Sequence, residues 1–238
     1  MVNKLIDSPV IVALDYDNIA SAKALIAQLT PEQCRLKVGK EMFTLFGPDW
    51  VRYLVGEGFD VFLDLKFHDI PNTVAKAVAA ASQLGVWMVN VHASGGADMV
   101  TAAKDATQSV NKPPLLTAVT ILTSMDEGQF SAVYQGQDIA SKVADLALLS
   151  QEAGADGVVC SAKEAIMLRR QVRSDFRLVT PGIRPIGSNM DDQKRVMTPK
   201  EALSAGVDYL VIGRPITQSE NPARVLEQIN QSLLSQTT

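Results

Sequence analysis

A single-domain (β/α)8 barrel, the TIM-barrel architecture, is the fold class this sequence predicts, and three observations carry it. Short β-branched runs alternate with helical stretches from end to end, as in a parallel sheet with crossover helices. The alternation passes through eight strands and eight helices with no charge-rich or Gly/Ser-rich linker to divide it. The 238 residues also suit the ~250 that such a barrel typically needs. An open doubly wound sheet is the alternative arrangement of the same units, and the count of eight favours closure.

The elements follow in order. Val10–Asp15 is the first strand and Ile19–Leu29 the helix that returns it. Arg35–Gly39 is followed by Trp50–Gly56, and Asp60–Lys66 by Val74–Leu84, whose start is signalled by Asn72 and Thr73. Trp87–His92 precedes Ala97–Thr107, and Leu115–Leu122 precedes Ile139–Ala153. Gly157–Ser161 with Lys163–Gln171, Leu178–Pro181 with Pro199–Ala205, and Tyr209–Gly213 with Ala223–Leu234 complete the set. Three helix–strand junctions repeat one pattern: Glu57-Gly58-Phe59-Asp60, Ala153-Gly154-Ala155-Asp156 and Ala205-Gly206-Val207-Asp208. A glycine past each helix end supplies the left-handed turn back to the sheet. This is architecture, without functional content.

Composition bounds the function. With 47% hydrophobic and 20% charged residues, a large core and an ordinary surface are both available. A net charge of −4 disfavours nucleic acid as a partner. Cys34 and Cys160 lie far apart and read as buried thiols of a reducing compartment. The run Pro9–Leu14 is too short for a signal or a membrane span and ends in charges. A cytoplasmic protein is expected.

Most strand ends carry polar residues: Asp15, Lys37, Asp64 with Lys66, Asn90 with His92, Thr123, Ser161, Thr180 and Arg214. Active sites of such barrels form at this rim. The strongest signal is Asp64-Leu65-Lys66-Phe67-His68-Asp69-Ile70-Pro71-Asn72-Thr73. Side chains two apart on a strand share a face, so Asp64 and Lys66 aim into the barrel mouth. Alone, Asp-x-Lys would read as a salt bridge closing a strand. Here Asp15 and Lys37 should face the same cavity. Opposite charges ~4 Å apart interact by about 4 kcal/mol at an effective dielectric of 20. An alternating Asp/Lys chain can therefore hold ionised groups in a partly dry pocket. Such an array keeps Lys66 protonated as a proton donor.

The second signal is Pro181-Gly182-Ile183-Arg184 with Ile212-Gly213-Arg214-Pro215-Ile216, at the ends of strands seven and eight. These barrels often bind phosphate there, through loop amides and a helix N-terminus. Gly182 and Gly213 admit close backbone approach, and Arg214 adds a fork of donors. A long loop at about residues 183–198 reads as a lid, with Gln193 in reach of a phosphate oxygen.

No metal or cofactor is expected. Neither His68 nor His92 has a second His or Cys at zinc-ligand spacing. Asp15, Asp64 and Asp69 could gather for magnesium, but Lys37 and Lys66 among them would repel a cation. Neither Gly-x-Gly-x-x-Gly after a strand nor a Walker sequence occurs.

Taken together, Asp64-x-Lys66-x-x-Asp69-Ile70-Pro71-Asn72-Thr73, Asp15, Lys37 and the two phosphate segments resemble the bacterial orotidine 5′-phosphate decarboxylases, over essentially the whole chain. The resemblance implies decarboxylation of orotidine 5′-monophosphate to UMP, a step of de novo pyrimidine biosynthesis, without metal or cofactor. It implies Lys66 as proton donor to C6, Asp64 beside the departing carboxylate, and Asp69 completing the array. Asp15 and Lys37 would bind ribose hydroxyls, and Thr123 or Ser124 the pyrimidine. Gln193, Arg214 and the Gly213 amide would hold the phosphate, with Arg184 nearby. It further implies a homodimer in which Asp69 and Thr73 reach the neighbouring subunit's substrate. The nearest rivals are the magnesium-dependent 3-keto-L-gulonate 6-phosphate decarboxylases and hexulose-phosphate synthases, which carry a metal-binding Glu where this chain has Lys37. A non-catalytic phosphosugar sensor is a rival of a different class.

Overall fold

The computed structural model describes residues 8–185 and 197–234. Its strands are β1 (Val10–Leu14), β2 (Arg35–Gly39), β3 (Val61–Phe67), β4 (Met88–His92), β5 (Leu115–Val119), β6 (Gly157–Val159), β7 (Arg177–Thr180) and β8 (Tyr209–Ile212). All neighbours pair in parallel, in sequence order, and β8 pairs back onto β1 through Val10↔Leu210, Ile11↔Val211 and Val12↔Ile212. The expected closed barrel is present, and the open doubly wound sheet is not.

Strand parity decides which side chains enter the barrel. Val10, Val12 and Leu14 of β1, Leu36 and Val38 of β2, and Val61 and Leu63 of β3 join the large core between sheet and helices. The alternate residues Ile11, Ala13, Phe62, Met88, Val179 and Val211 form a separate cluster inside the barrel. By the same alternation Lys37, Asp64 and Asn90 point inward, one step beyond this plug toward the strands' C-terminal ends.

The helices are α1 (Ile19–Ile26), α2 (Lys40–Gly56), α3 (Pro71–Ser82), α4 (Ala97–Thr107), α5 (Glu127–Val133), α6 (Ile139–Glu152), α7 (Ala162–Arg169), α8 (Pro199–Ser204), α9 (Arg214–Thr217) and α10 (Pro222–Leu234). Three segments go beyond the sequence expectation: the first half of α2, and the short α5 and α9. In α2 the chain breaks at Gly47 (φ 65°, ψ −165°) before Pro48, so the expected helix is only its second half. Starts are locally encoded. Ser161 and Glu164 form a capping box on α7, and Thr198 and Glu201 form one on α8. Ser161, expected as the last residue of a strand, is the N-cap instead.

The repeated Gly-x-Asp junctions place the glycines at φ +91° (Gly58), +87° (Gly154) and +94° (Gly206). The aspartates that follow bind the barrel floor. Asp156 accepts from Leu116 N and Lys104 Nζ, both at 2.7 Å. Asp208 accepts from Leu178 N at 2.7 Å and pairs with Arg169 and Arg177. Each carboxylate thereby ties its own strand to the preceding one.

Candidate active site

The site begins with an irregularity in β3. Phe62 pairs with Met88 and Leu63 with Val89, but the next pair is Phe67 with Val91. Three residues, Asp64, Leu65 and Lys66, therefore stand opposite the single Asn90. Bulges are rare in parallel pairs and re-aim side chains where they occur. Lys66 has φ +54°, the one positive φ at a non-glycine among the described residues, a conformation that costs about 1 kcal/mol or more. Asn90 fills the bulge and is fully buried. Its Oδ1 accepts from Lys66 N at 2.8 Å, and its Nδ2 donates to Asp64 Oδ1 at 2.7 Å.

Charges assemble around that bulge. Lys66 Nζ donates to Asp64 Oδ1 at 2.5 Å, and Lys37 Nζ lies 3.3 Å from Asp64 Oδ2. On its other side Lys37 Nζ is 3.7 Å from Asp15 Oδ1. Burial alone would raise the Asp64 carboxyl. Lys37, Lys66 and the hydrogen bonds from Lys66 and Asn90 outweigh it and hold the group below its ordinary range. Asp64 is thus a buried anion between two ammonium groups.

Asp15 and Lys37 also line a cavity of about 630 Å³, whose far wall is Pro181, Gly182, Arg184, Gly213 and Arg214. The cavity runs from the ends of β1 and β2 to those of β7 and β8. Arg184 is buried against it and donates to Ile183 O at 3.1 Å. Arg214 opens the short helix α9 just past β8. At Gly213 an added Cβ would stand 3.5 Å from Ala13 Cβ and 3.8 Å from Asp15 Oδ2, so the bare backbone is what borders the cavity there.

Of the residues expected at the site, the structure brings together Asp15, Lys37, Asp64 and Lys66 in one chain of charges, and places Arg184, Gly213 and Arg214 across the cavity from it. Asp69 is exposed, its Oδ1 accepting from Ile70 N at 2.6 Å, and Thr73 is exposed in the first turn of α3. Neither lines the cavity. Thr123 is half-buried and Ser124 exposed, in a turn after β5, also away from its walls. Gln193 and most of the expected lid lie outside the described residues. The residue that sequence reasoning left without a role is Asn90. Its signal was a polar side chain at an inward position of an otherwise apolar run, Met88-Val89-Asn90-Val91.

His92, next inward after Asn90, sits with its ring 5.5 Å from that of His68. Burial, then His68, Lys40 and Lys66, press its pKa down to about 4, so it is neutral near pH 7. Among the described residues no three His, Cys, Asp or Glu side chains gather as a metal would require, and no helix is long and apolar enough to cross a membrane.

The family model described as orotidine 5′-phosphate decarboxylase / HUMPS family matches residues 8–229. The orotidine 5′-phosphate decarboxylase of Pseudoalteromonas translucida is 59% identical over 225 residues, 94% of this chain and 96% of that protein. The protein of the same name from Escherichia fergusonii is 60% identical over 228 residues, 95% of this chain and 93% of its own. Among solved structures, orotidine 5′-phosphate decarboxylase from Lactobacillus acidophilus superposes with a TM-score of 0.85 at 38% identity, covering 95% of this chain and 99% of that one.

Proposed function

The chain belongs to the orotidine 5′-phosphate decarboxylase / HUMPS family, and we propose that it converts orotidine 5′-monophosphate to UMP by fixed charges alone. The observation that carries this reading is Asp64 held between Lys37 and Lys66. Loss of CO₂ from C6 leaves a carbanion with no adjacent carbonyl to receive the electron pair. Without a cofactor as electron sink, preorganised charge in a water-poor pocket must stabilise it. Lys66 carries the positive charge to C6 and then the proton. Asp64 stands beside the departing carboxylate and orients Lys66 through the 2.5 Å contact.

The remaining residues bind. Lys37 and Asp15, which border both the charges and the cavity, take the ribose hydroxyls. Arg214, the Gly213 amide and Arg184 take the phosphate at the opposite wall. Gln193, outside the described residues, adds a contact to it, and the loop at about 183–198 closes over the phosphate. Thr123 or Ser124 meets the pyrimidine. Phosphate binding far from C6 then drives closure and orders the charges, so that remote binding energy lowers the chemical barrier. The exposure of Asp69 and Thr73 suits the remaining role, in which each reaches across a homodimer interface into the partner's site. The protein works in the cytoplasm, with no metal, nucleic acid or membrane as partner. The magnesium-dependent sugar-phosphate reading needs a carboxylate at the position in β2 where Lys37 stands instead, paired to Asp64.

The test is a spectrophotometric assay of the purified protein with orotidine 5′-monophosphate, with and without EDTA. Loss of the orotate-type absorbance at the same rate in both supports the reading. Absence of turnover by the folded protein would move the assignment to the magnesium-dependent enzymes, whose own sugar-phosphate substrates would then be assayed. UMP binding without any turnover would move it to a sensor.

A further inference from the structure

We infer that Asn90 is a positioning residue for the reaction, holding the β3 bulge and through it the relative placement of Lys66 and Asp64. The inference rests on the proposed roles of those two residues. In a parallel ladder two strands advance together, and three residues against one leave backbone groups of the longer strand without a partner. Asn90 supplies what the ladder cannot. Its carboxamide presents an acceptor on one side and donors on the other, and both are used: Oδ1 receives Lys66 N, and Nδ2 donates to Asp64 Oδ1. That same Asp64 oxygen receives Lys66 Nζ. One buried side chain thus closes a loop comprising the Lys66 backbone, the Lys66 ammonium and the Asp64 carboxylate.

Simple packing would not require this arrangement. A buried side chain that only filled space would be apolar, like Val89 and Val91 on either side of Asn90. The left-handed backbone at Lys66 also needs a restraint, since an unbranched side chain does not favour it. Asn90 restrains it at the amide whose φ is unusual. The other groups facing Asp64 are Lys37 from β2, with Asp15 beyond it, and His92 further along β4. None of them contacts the Lys66 backbone through a described hydrogen bond, so none can substitute.

Two variants and a control test this. Asn90→Ala removes both bonds. Asn90→Asp keeps the shape and the acceptor for Lys66 N but replaces the donor to Asp64 with a like charge. Both are expected to lower kcat by about 100-fold, the cost of a misplacement near 1 Å, while KM changes by less than about threefold because the phosphate and ribose contacts are elsewhere. The acid limb of the kcat/KM profile should move to higher pH in both, since Asp64 loses a donor that favours its ionised form. A merely structural residue would instead lower kcat only in proportion to the folded fraction, measured by circular dichroism, and leave the acid limb in place. That result, or near-parental kcat in both variants, overturns the inference. Lys66→Ala, run in parallel, separates the two readings. If it is inactive while the Asn90 variants behave as the parent, this inference alone fails; if it is fully active, the proposed mechanism fails first.

Discussion

Lys37 reaches Asp64 across the strand boundary, its Nζ 3.3 Å from Oδ2, while Lys66 occupies the other carboxylate oxygen from within the same strand. The two lysines therefore do different work on one anion. In the proposed mechanism Lys37 links Asp64 to the cavity that would hold ribose and phosphate, and Lys66 would link it to the reacting carbon. Replacing Lys37 should damage both halves. Lys37→Met is expected to reduce kcat/KM by about 100-fold or more, since a displaced charge disturbs transition-state placement. It also removes the largest influence lowering the Asp64 carboxyl. A carboxyl with a depressed folded pKa adds stability above its unfolded pKa, and that stability is lost as pH falls through the folded value. With Lys37 gone the loss should begin at higher pH, so the acid-unfolding midpoint of Lys37→Met should lie above that of the parent.

At the opposite end of the barrel Arg35 lies between two rings, its guanidinium 4.5 Å from the Trp87 centroid and 5.1 Å from that of Tyr209. It donates to Ser8 O at 2.7 Å and pairs with Asp60 at 3.5 Å. Partly buried cation–π contacts contribute roughly 0.5–2 kcal/mol, and hydrogen bonds to charged groups about 1.5–3 kcal/mol. Arg35→Met should cost about 2 kcal/mol, read as a Tm lower by roughly 4–8 °C for a domain of this size. Steady-state kinetics below the transition should be unchanged, because the floor is remote from the charges.

His92 gives a pH dependence of stability that does not involve a carboxylate. Its pKa of about 4 lies below the unfolded value of 6.5, so between those limits the unfolded chain binds a proton that the folded one refuses. Stability must then fall as pH drops from about 6.5 toward about 4. His92→Gln should flatten this part of the Tm-versus-pH curve, and an unchanged slope would remove His92 as its source.

Asp69 and Thr73 suggest a test of subunit sharing. Asp69→Ala and Lys66→Ala should each be nearly inactive alone. Mixed under conditions that exchange subunits, they should regain activity, because a hybrid dimer contains one site with both residues intact. With random reassortment half the dimers are hybrid and half of their sites intact, so recovery approaches about a quarter of the parental activity per site. No recovery, with exchange verified by a tagged partner, would place both residues in a single subunit's site.

The barrel was legible because it is encoded locally and repeatedly. β2 falls on the expected Arg35–Gly39, and the junction glycines mark the returns to the sheet. Strand ends were read too long where pairing stops before the polar residue, as at Ser161, which caps a helix instead. The expected Trp50–Gly56 is only the second half of α2, whose first turns, from Lys40, precede the non-helical Gly47 and the Pro48 that follows it. Lys37, Asp64 and Lys66 were legible through strand parity and the clustering of charge at one rim. The bulge was not. Asp64-Leu65-Lys66-Phe67 reads as a regular strand, and only its register against β4 reveals the extra residues that give Asn90 its place.

The central claim, that Lys66 carries the proton and the stabilising charge to C6, is tested most directly by turnover of orotidine 5′-monophosphate in Lys66→Ala, measured beside UMP binding by the same protein. Loss of a positioned general acid costs roughly 10²–10⁴-fold, and in the proposed mechanism the same group would also stabilise the carbanion. The expected result is therefore a fall of at least about 1000-fold in kcat with UMP affinity within about threefold. Turnover within about tenfold of the parent, in a variant that folds and binds UMP normally, would contradict the account.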